Sequence, residues 1–347
     1  MDFGALMFFT DYAISAVDLA KALEDRGFES VWAPEHSHIP TSRKTPFPGG
    51  GELPKRYYDA MDPFVSLTAA AVATTKLKLG TGVCLVQQRD PIQTAKLVVS
   101  LDQVSNGRFL FGVGGGWNQD EMEDHGTVFE TRFKLMRERI EAMKEIWTKS
   151  KAEYHGDMVN FPEMMMWPKP VQKPYPPILV GGGFPQAARR AIRYGDGWCP
   201  VGRTGSSLLD VLAKYRQMAR DAGRDPATLP VTLFNPAEDE GELARCRDMG
   251  IARVVPMLLS EERDKILPVL DRWAAPARAC SRCWRNTGRW RAMPDAIPKP
   301  CRSPSSIRPR MRASLRATAT WALPESSPSC FPSRATRSCP FSTAGRR

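Results

Sequence analysis

Apolar and polar positions alternate in two repeating periods between Phe3 and Trp273. Short apolar runs of strand length are followed by longer stretches with apolar residues every three or four positions. Phe3–Phe9, Ser30–Ala33, Leu77–Leu85 and Arg108–Gly112 read as the first four strands. Ile178–Gly181, Trp198–Val201, Val231–Phe234 and Arg253–Leu259 read as the next four. Between them, Ser15-Ala-Val-Asp18 resembles a capping box. Asp62-Pro63 and Asp90-Pro91 place a cap before a proline suited to the first helical turn. Phe133, Met136, Ile140, Met143 and Trp147 form a helical stripe. The remaining helices fall at Pro185–Tyr194, Ser206–Ala222, Glu238–Met249 and Glu261–Trp273. Gly27, Gly107, Gly195 and Gly250 each stand between a helix and the next strand.

Eight strand–helix units in one chain predict a parallel sheet closed into a TIM (β/α)8 barrel over residues 1–274. An open doubly wound sheet normally carries its phosphate turn after the first strand. Here the glycine-rich turns follow the fourth and fifth strands. Two stretches break the alternation. Pro40–Met61 is polar, basic and rich in Gly and Pro. Ala152–Pro177 reads as a hairpin at 154–161 followed by Met164-Met-Met-Trp167. Both are expected to be insertions at the C-terminal mouth, the second supplying a pocket lid or subunit contact.

Charge divides the chain at the same point as the pattern. Residues 1–274 carry 34 Lys and Arg against 36 Asp and Glu, whereas residues 275–347 carry 15 against 2. The net charge of +11 therefore belongs to the tail, and the barrel is not expected to bind nucleic acid. The tail contains no valine, and Arg, Ser, Pro and Ala make up well over half of it. Such a segment buries too little apolar surface to offset its ordering entropy. It reads as a disordered, low-complexity basic tail. The abrupt change in composition favours a shifted reading frame over an arginine-rich nucleic-acid arm. Cys280 and Cys283 form a lone CxxC with no second pair, which argues against a zinc ribbon. No basic region precedes the first apolar run and no apolar stretch approaches ~18 residues, so a cytoplasmic protein is expected.

In a barrel, chemistry collects where strands end. The second strand ends in Glu35-His36-Ser37-His38, and the third carries Gly80-Thr81-Gly82-Val83. The fourth ends in a glycine run containing Gly114, the fifth in Gly181-Gly182-Gly183, and the sixth is entered through Asp196-Gly197-Trp198. Gly181–Gly183 before a helix start offer free N–H groups and a positive dipole end to a phosphate. His36-x-His38 lacks further histidines at later strand ends, so no metal site is expected. No lysine stands at a strand end for Schiff-base chemistry, and no nucleophile elbow supports a serine triad.

The stretches WAPEH, LGTGVCL, SLDQVSNGRFLFGVGGGWNQDE and LVGGG…ARRAIRYGDGW, in this order, resemble the bacterial luciferase-like flavin superfamily, most closely its coenzyme F420-dependent branch. The resemblance covers roughly residues 1–273. It implies a deazaflavin ring in the mouth, backed by a non-proline cis peptide at Gly82–Val83. It further implies a phosphate on Gly181, Gly182 and Gly183, with Gly114 and Asp196-Gly197-Trp198 lining the same site. Glu35-His36 matches an acidic-His pair whose histidine is catalytic in sugar-phosphate dehydrogenase relatives. Those relatives also place a glutamate where Trp117 stands here, which argues against that sugar chemistry. The acidic tail of F420 is expected to meet Arg43, Lys44, Lys55 or Arg56.

The resulting expectation is an F420-dependent oxidoreductase, a homodimer acting on a small organic molecule. Alternatives are an FMN-dependent monooxygenase using O₂ and a non-catalytic cofactor-binding barrel.

Overall fold

A computed structural model describes residues 1–200, 208–236 and 240–274. The tail, its CxxC and the basic-arm reading lie outside the described residues. So do the expected strand end at Val201 and the expected helix starts at Ser206 and Glu238. The strands are β1 (Asp2–Leu6), β2 (Ser30–Ala33), β3 (Lys78–Thr81), β4 (Phe109–Val113), β5 (Ala152–His155), β6 (Asn160–Met164), β7 (Ile178–Gly182), β8 (Gly197–Pro200), β9 (Thr232–Phe234) and β10 (Arg253–Val255). The helices are α1 (Ala16–Arg26), α2 (Pro63–Ala73), α3 (Pro91–Val104), α4 (Gln119–Asp124), α5 (Arg132–Thr148), α6 (Gln186–Tyr194), α7 (Leu208–Asp221) and α8 (Glu240–Asp248). A last helix occupies 263–274.

Eight strands pair in parallel in the order β8-β7-β4-β3-β2-β1-β10-β9. The Trp198–Val231 bridge, with Trp198 N–H donating to Pro230 O at 3.0 Å, joins β8 to β9 and closes the ring. The fold is the expected TIM barrel. Local chemistry sets its helix ends. Ser15 Oγ accepts from Asp18 N–H, and Gly27 takes a left-handed conformation that ends α1. Asp62 and Asp90 cap α2 and α3 ahead of prolines.

Some strands are shorter than their apolar runs. Within Leu77–Leu85 the strand runs only from Lys78 to Thr81; past the cis Gly82–Val83 peptide the pairing with β4 continues as a Cys84–Val113 bridge. Phe8 and Phe9 leave β1 and are buried beneath the mouth, where Phe8 packs against Tyr57 at 4.6 Å.

Trp32 fills the barrel interior. It is fully buried, surrounded by Leu6, Leu110, Leu179, Cys199 and Val255, with Phe234 edge-on at 5.4 Å. Its indole N–H donates to Ser30 Oγ at 2.8 Å. A Cβ on Gly80 would lie 2.2 Å from the indole, so only glycine on the neighbouring strand leaves it room.

The two insertions go to different places. Residues 34–62 follow β2 and sit at the mouth, as expected. Residues 149–177 follow α5 and run along the helix layer, which corrects their assignment to the mouth and the lid role of the Met-Trp cluster. A segment that leaves the C-terminal end of a helix starts at the opposite face of the barrel. There Lys169 Nζ donates to Ile146 O, and Gln172 donates to Asp102 and to Phe109 O. The β5–β6 hairpin is held on α5 through Glu138, which accepts from Met158 and Val159 N–H. Met165 and Trp167 are exposed.

At the N-terminal face, Arg253 makes a two-pronged ion pair with Glu29, at 2.7 and 2.6 Å. Burial alone would raise the Glu29 carboxyl. The Arg253 charge and hydrogen bonds outweigh it and hold the group at about 2, below its ordinary 4.5. Asp2, 3.6 Å from Arg253, is instead pushed up by burial and by Glu29. A depressed carboxyl adds stability that is fully present above its unfolded pKa and is lost as pH falls toward the folded one. Glu29→Gln is therefore expected to lower stability by about 3 kcal/mol at neutral pH. Thermal melts between pH 6 and 2 should show the gap to wild type narrowing below about pH 4.5.

Candidate active site

The mouth is built by the ends of β2, β3, β4 and β7. The Val83 side chain packs between two glycines. A Cβ on Gly114 would lie 2.4 Å from Val83 Cγ2, and one on Gly181 would lie 3.1 Å from Val83 Cγ1. These three sequence-predicted residues, with Gly82, thus form one continuous shelf on adjacent strands. Gly182 has a positive φ that side chains rarely adopt, and it turns the chain toward α6. Pro185 at the N-cap of α6 offers no side-chain cap, and Ala187 N–H in the first turn donates to Gly183 O at 3.0 Å.

Two arginines stand at this turn. The guanidinium of Arg190, on α6, comes within 3.7 Å of the Cβ position of Gly182. Arg190 and Arg132 both stack on Phe133, at 3.9 and 4.2 Å from its centroid. Each has a buried Nε without a hydrogen-bond partner. Burial lowers the pKa of both, and the charge of Arg190 lowers that of Arg132 further. An anion here would relieve both the desolvation and the mutual repulsion.

Trp198 supports the turn from behind. It is fully buried against Tyr215, and its indole N–H donates to Gly182 O at 3.1 Å. Asp196 and Gly197 are not with it. Asp196 bonds to Ile178 through both backbone and carboxylate, at the N-terminal start of β7. In a parallel barrel the residues entering a strand lie at the face opposite the mouth, here about 10 Å from the strand's end. The placement of Asp196 and Gly197 beside the phosphate turn is thereby corrected.

Glu35 and His36 are not a pair. The Glu35 carboxylate is buried, accepting from Leu85 N–H at 2.7 Å and from Arg89 Nε at 2.5 Å. It ties the end of β2 to the loop after β3, and Arg89 continues to Asp62. His36 instead bonds through Nδ1 to Glu121 Oε2 at 2.7 Å, with side chains 7% and 0% exposed. Its Nε2, on the opposite edge of the ring, has no hydrogen-bond partner among the described residues. Tyr57 and Trp117 flank the ring at 5.4 and 5.6 Å. The neighbouring Asp120 accepts from Ser42, Lys44 and Thr45, which fastens the first insertion onto α4. Burial would raise the Asp120 carboxyl, but these hydrogen bonds hold it well below the usual carboxylate range.

Glu121, Arg132 and Arg190 were not singled out from sequence. Glu121 lies in the stretch GWNQDE, where the glutamate of the related dehydrogenases was sought at position 117. The four basic residues expected to meet an acidic tail differ in their engagement. Lys55 is paired with Asp59, Arg56 stacks on Phe8 and Tyr57, and Arg43 has a buried Nη1 without a partner. Lys44 contributes its backbone N–H to Asp120. His38 faces Asp124 rather than Glu121. Among the described residues, no three His, Cys, Asp or Glu side chains converge as metal ligands, and no helix is long and apolar enough to cross a membrane.

A family profile described as luciferase-like monooxygenase matches residues 7–246. The chain belongs to that family. An uncharacterised Mycobacterium tuberculosis relative is 37% identical over 285 residues, spanning 81% of this luciferase-like chain and all of its own length. An F420-dependent hydroxymycolic acid dehydrogenase of the same species is 29% identical, over 66% of this chain and 61% of its own. An FMNH2-dependent dimethylsulfone monooxygenase of Pseudomonas putida is 31% identical, over 51% and 49%. Among solved structures, a monooxygenase from Streptomyces bottropensis superimposes with a TM-score of 0.65 at 20% identity, over 81% of this chain and all of its own. An F420-dependent secondary alcohol dehydrogenase bound to an F420–acetone adduct gives 0.56 at 22%, over 71% and 73%.

The contact between Val83 and Gly114 is open to a double-mutant cycle. Gly114→Ala is expected to destabilise by about 1–3 kcal/mol through overpacking. Val83→Ala in the same chain should recover much of that loss. Urea unfolding of the four variants measures the coupling.

Proposed function

We propose that this luciferase-like protein is an F420-dependent oxidoreductase, moving a hydride between the deazaflavin and a small organic substrate. The observation that carries the reading is His36. A buried carboxylate holds its Nδ1, leaving Nε2 at the mouth end of β2 to give or take a proton at a substrate oxygen. The shelf formed by Gly82, Val83, Gly114 and Gly181 is flat and free of polar side chains, which suits one face of a tricyclic ring. Gly182, Gly183, the start of α6 and the pair Arg132 and Arg190 suit its phosphate. A deazaflavin held there would supply the hydride chemistry, and the protein supplies binding, orientation and proton transfer.

The F420-dependent dehydrogenase among the relatives supports the choice of cofactor. The FMNH2-dependent relative supports the second reading, a two-component monooxygenase using the same shelf and phosphate turn. Parallel fluorescence titrations of the full chain separate the two. The expected result is saturable F420 binding at micromolar levels with FMN much weaker. The reverse preference moves the protein to the monooxygenases, and binding of neither leaves the glycine turns as barrel architecture.

Arg190→Ala should weaken whichever cofactor binds by roughly tenfold, an effect of about 1.4 kcal/mol. His36→Asn should leave cofactor binding intact and reduce turnover by roughly 10²–10⁴-fold. Loss of binding without loss of turnover at saturating cofactor would remove His36 from the chemistry.

A further inference from the structure

His36 lies at the inner end of a hydrogen-bonded chain that reaches solvent. Glu121 is fully buried, and its two oxygens face different partners. Oε2 meets His36 Nδ1 at 2.7 Å, while Oε1 accepts from Ser37 N–H at 3.0 Å and from Ser37 Oγ at 3.4 Å. Ser37 Oγ in turn meets His38 Nδ1 at 2.9 Å and His125 Nε2 at 2.7 Å. His38 Nε2 ends on Asp124 at 2.9 Å, where the side chains are 40% and 59% exposed. A serine hydroxyl has one proton and two acceptor lone pairs. It faces one carboxylate and two imidazoles here, and can turn its one proton toward any of the three.

We propose that Glu121, Ser37 and the His38/His125 pair form a proton relay that connects His36 to water. The proposal rests on the reading of His36 as the acid–base group. When His36 Nε2 takes a proton from a substrate oxygen, its Nδ1 proton passes to Glu121 Oε2. The Glu121 carboxyl group turns over and delivers that same proton to Ser37 Oγ, as Ser37 passes its own to whichever of His38 Nδ1 and His125 Nε2 is unprotonated. One of those imidazoles releases a proton to water. One proton enters and one leaves, no group is oxidised or reduced, and reduction of a substrate runs the relay in reverse. The other groups around His36 do not offer this path. Tyr57 is a phenol that burial pushes up, Trp117 has no exchangeable acid–base group at neutral pH, and Asp120 is occupied by Ser42, Lys44 and Thr45. Ser37 and the histidines are thus positioning and relay residues that act through His36.

The chain has four histidines, so nitrogen-labelled histidine resolves each ring by NMR in the full-length protein without cofactor. The His36 Nδ1 proton should be observed, and its exchange with water should be fast for a ring so deeply buried. Ser37→Ala removes only the hydroxyl and keeps the Ser37 N–H bond to Glu121. It should leave the His36 tautomer unchanged while slowing that exchange by roughly tenfold or more, with Ser37→Thr restoring it. His38→Gln combined with His125→Gln should slow it similarly. Exchange unchanged in both variants would overturn the relay, whatever the enzyme's activity. Slowed exchange in a protein that binds neither F420 nor FMN would keep the relay and remove the oxidoreductase reading instead. Loss of the Nδ1–H tautomer in Ser37→Ala would also overturn the proposal, by showing that the hydroxyl holds the carboxylate in place.

Discussion

The indole of Trp32 is the object around which this barrel closes. An eight-stranded barrel must fill its interior with side chains, usually in layers drawn from alternate strands. Here one large ring occupies the centre, and its neighbours make room by losing their own side chains, most severely at Gly80. This rigid aromatic stands on β2, the strand that leads into Glu35 and His36. Because Trp32 is immobilised on all sides, the position of His36 is inherited from the core.

Around the mouth, the acidic side chains are divided among distinct tasks. Glu35 binds the β3 loop, Asp120 binds the first insertion, and Glu121 binds His36. Each carboxylate is surrounded by donors, so negative charge is neutralised locally and does not accumulate over the shelf. Positive charge is placed across the mouth on α5 and α6, where Arg132 and Arg190 both pack on Phe133. The result is an uneven distribution of charge, with the His36–Glu121 pair after β2 and two guanidinium groups beside the turn after β7.

Much of this arrangement was legible in the sequence because it depends on local rules. Asp-Pro at two helix starts, Gly at helix ends and the strand-length apolar runs fix the number and order of βα units. Glycines are hard to replace where a backbone must approach closely, so Gly82, Gly114 and Gly181 stand out once the strand ends of a barrel are placed on the sequence. Side-chain partnerships were less legible. Glu35 is adjacent to His36 in sequence but points to another strand, whereas Glu121 lies 85 positions away and arrives through a short helix. Both residues lie in the loop just past β2, where neighbours in sequence need not share a partner, and only the fold shows which acid reaches the histidine. Asp196-Gly197-Trp198 shows a related limit. Motif content identified the segment, but only strand direction reveals that two of its three residues enter at the far face.

The Arg253–Glu29 pair bears on how the protein comes to be folded. Its partners are 224 positions apart, and they bridge strands on either side of β1. Until the last strands have emerged and docked, β1 presents an unpaired edge and a half-lined interior. Such an edge is a template for pairing with another chain. A nascent barrel of this kind is thus most vulnerable late in synthesis, when nearly all of its apolar surface exists and its seam is still open. The arginine that arrives with β10 meets the carboxylate of Glu29 beside β2, so closure joins opposite charges as well as burying apolar surface.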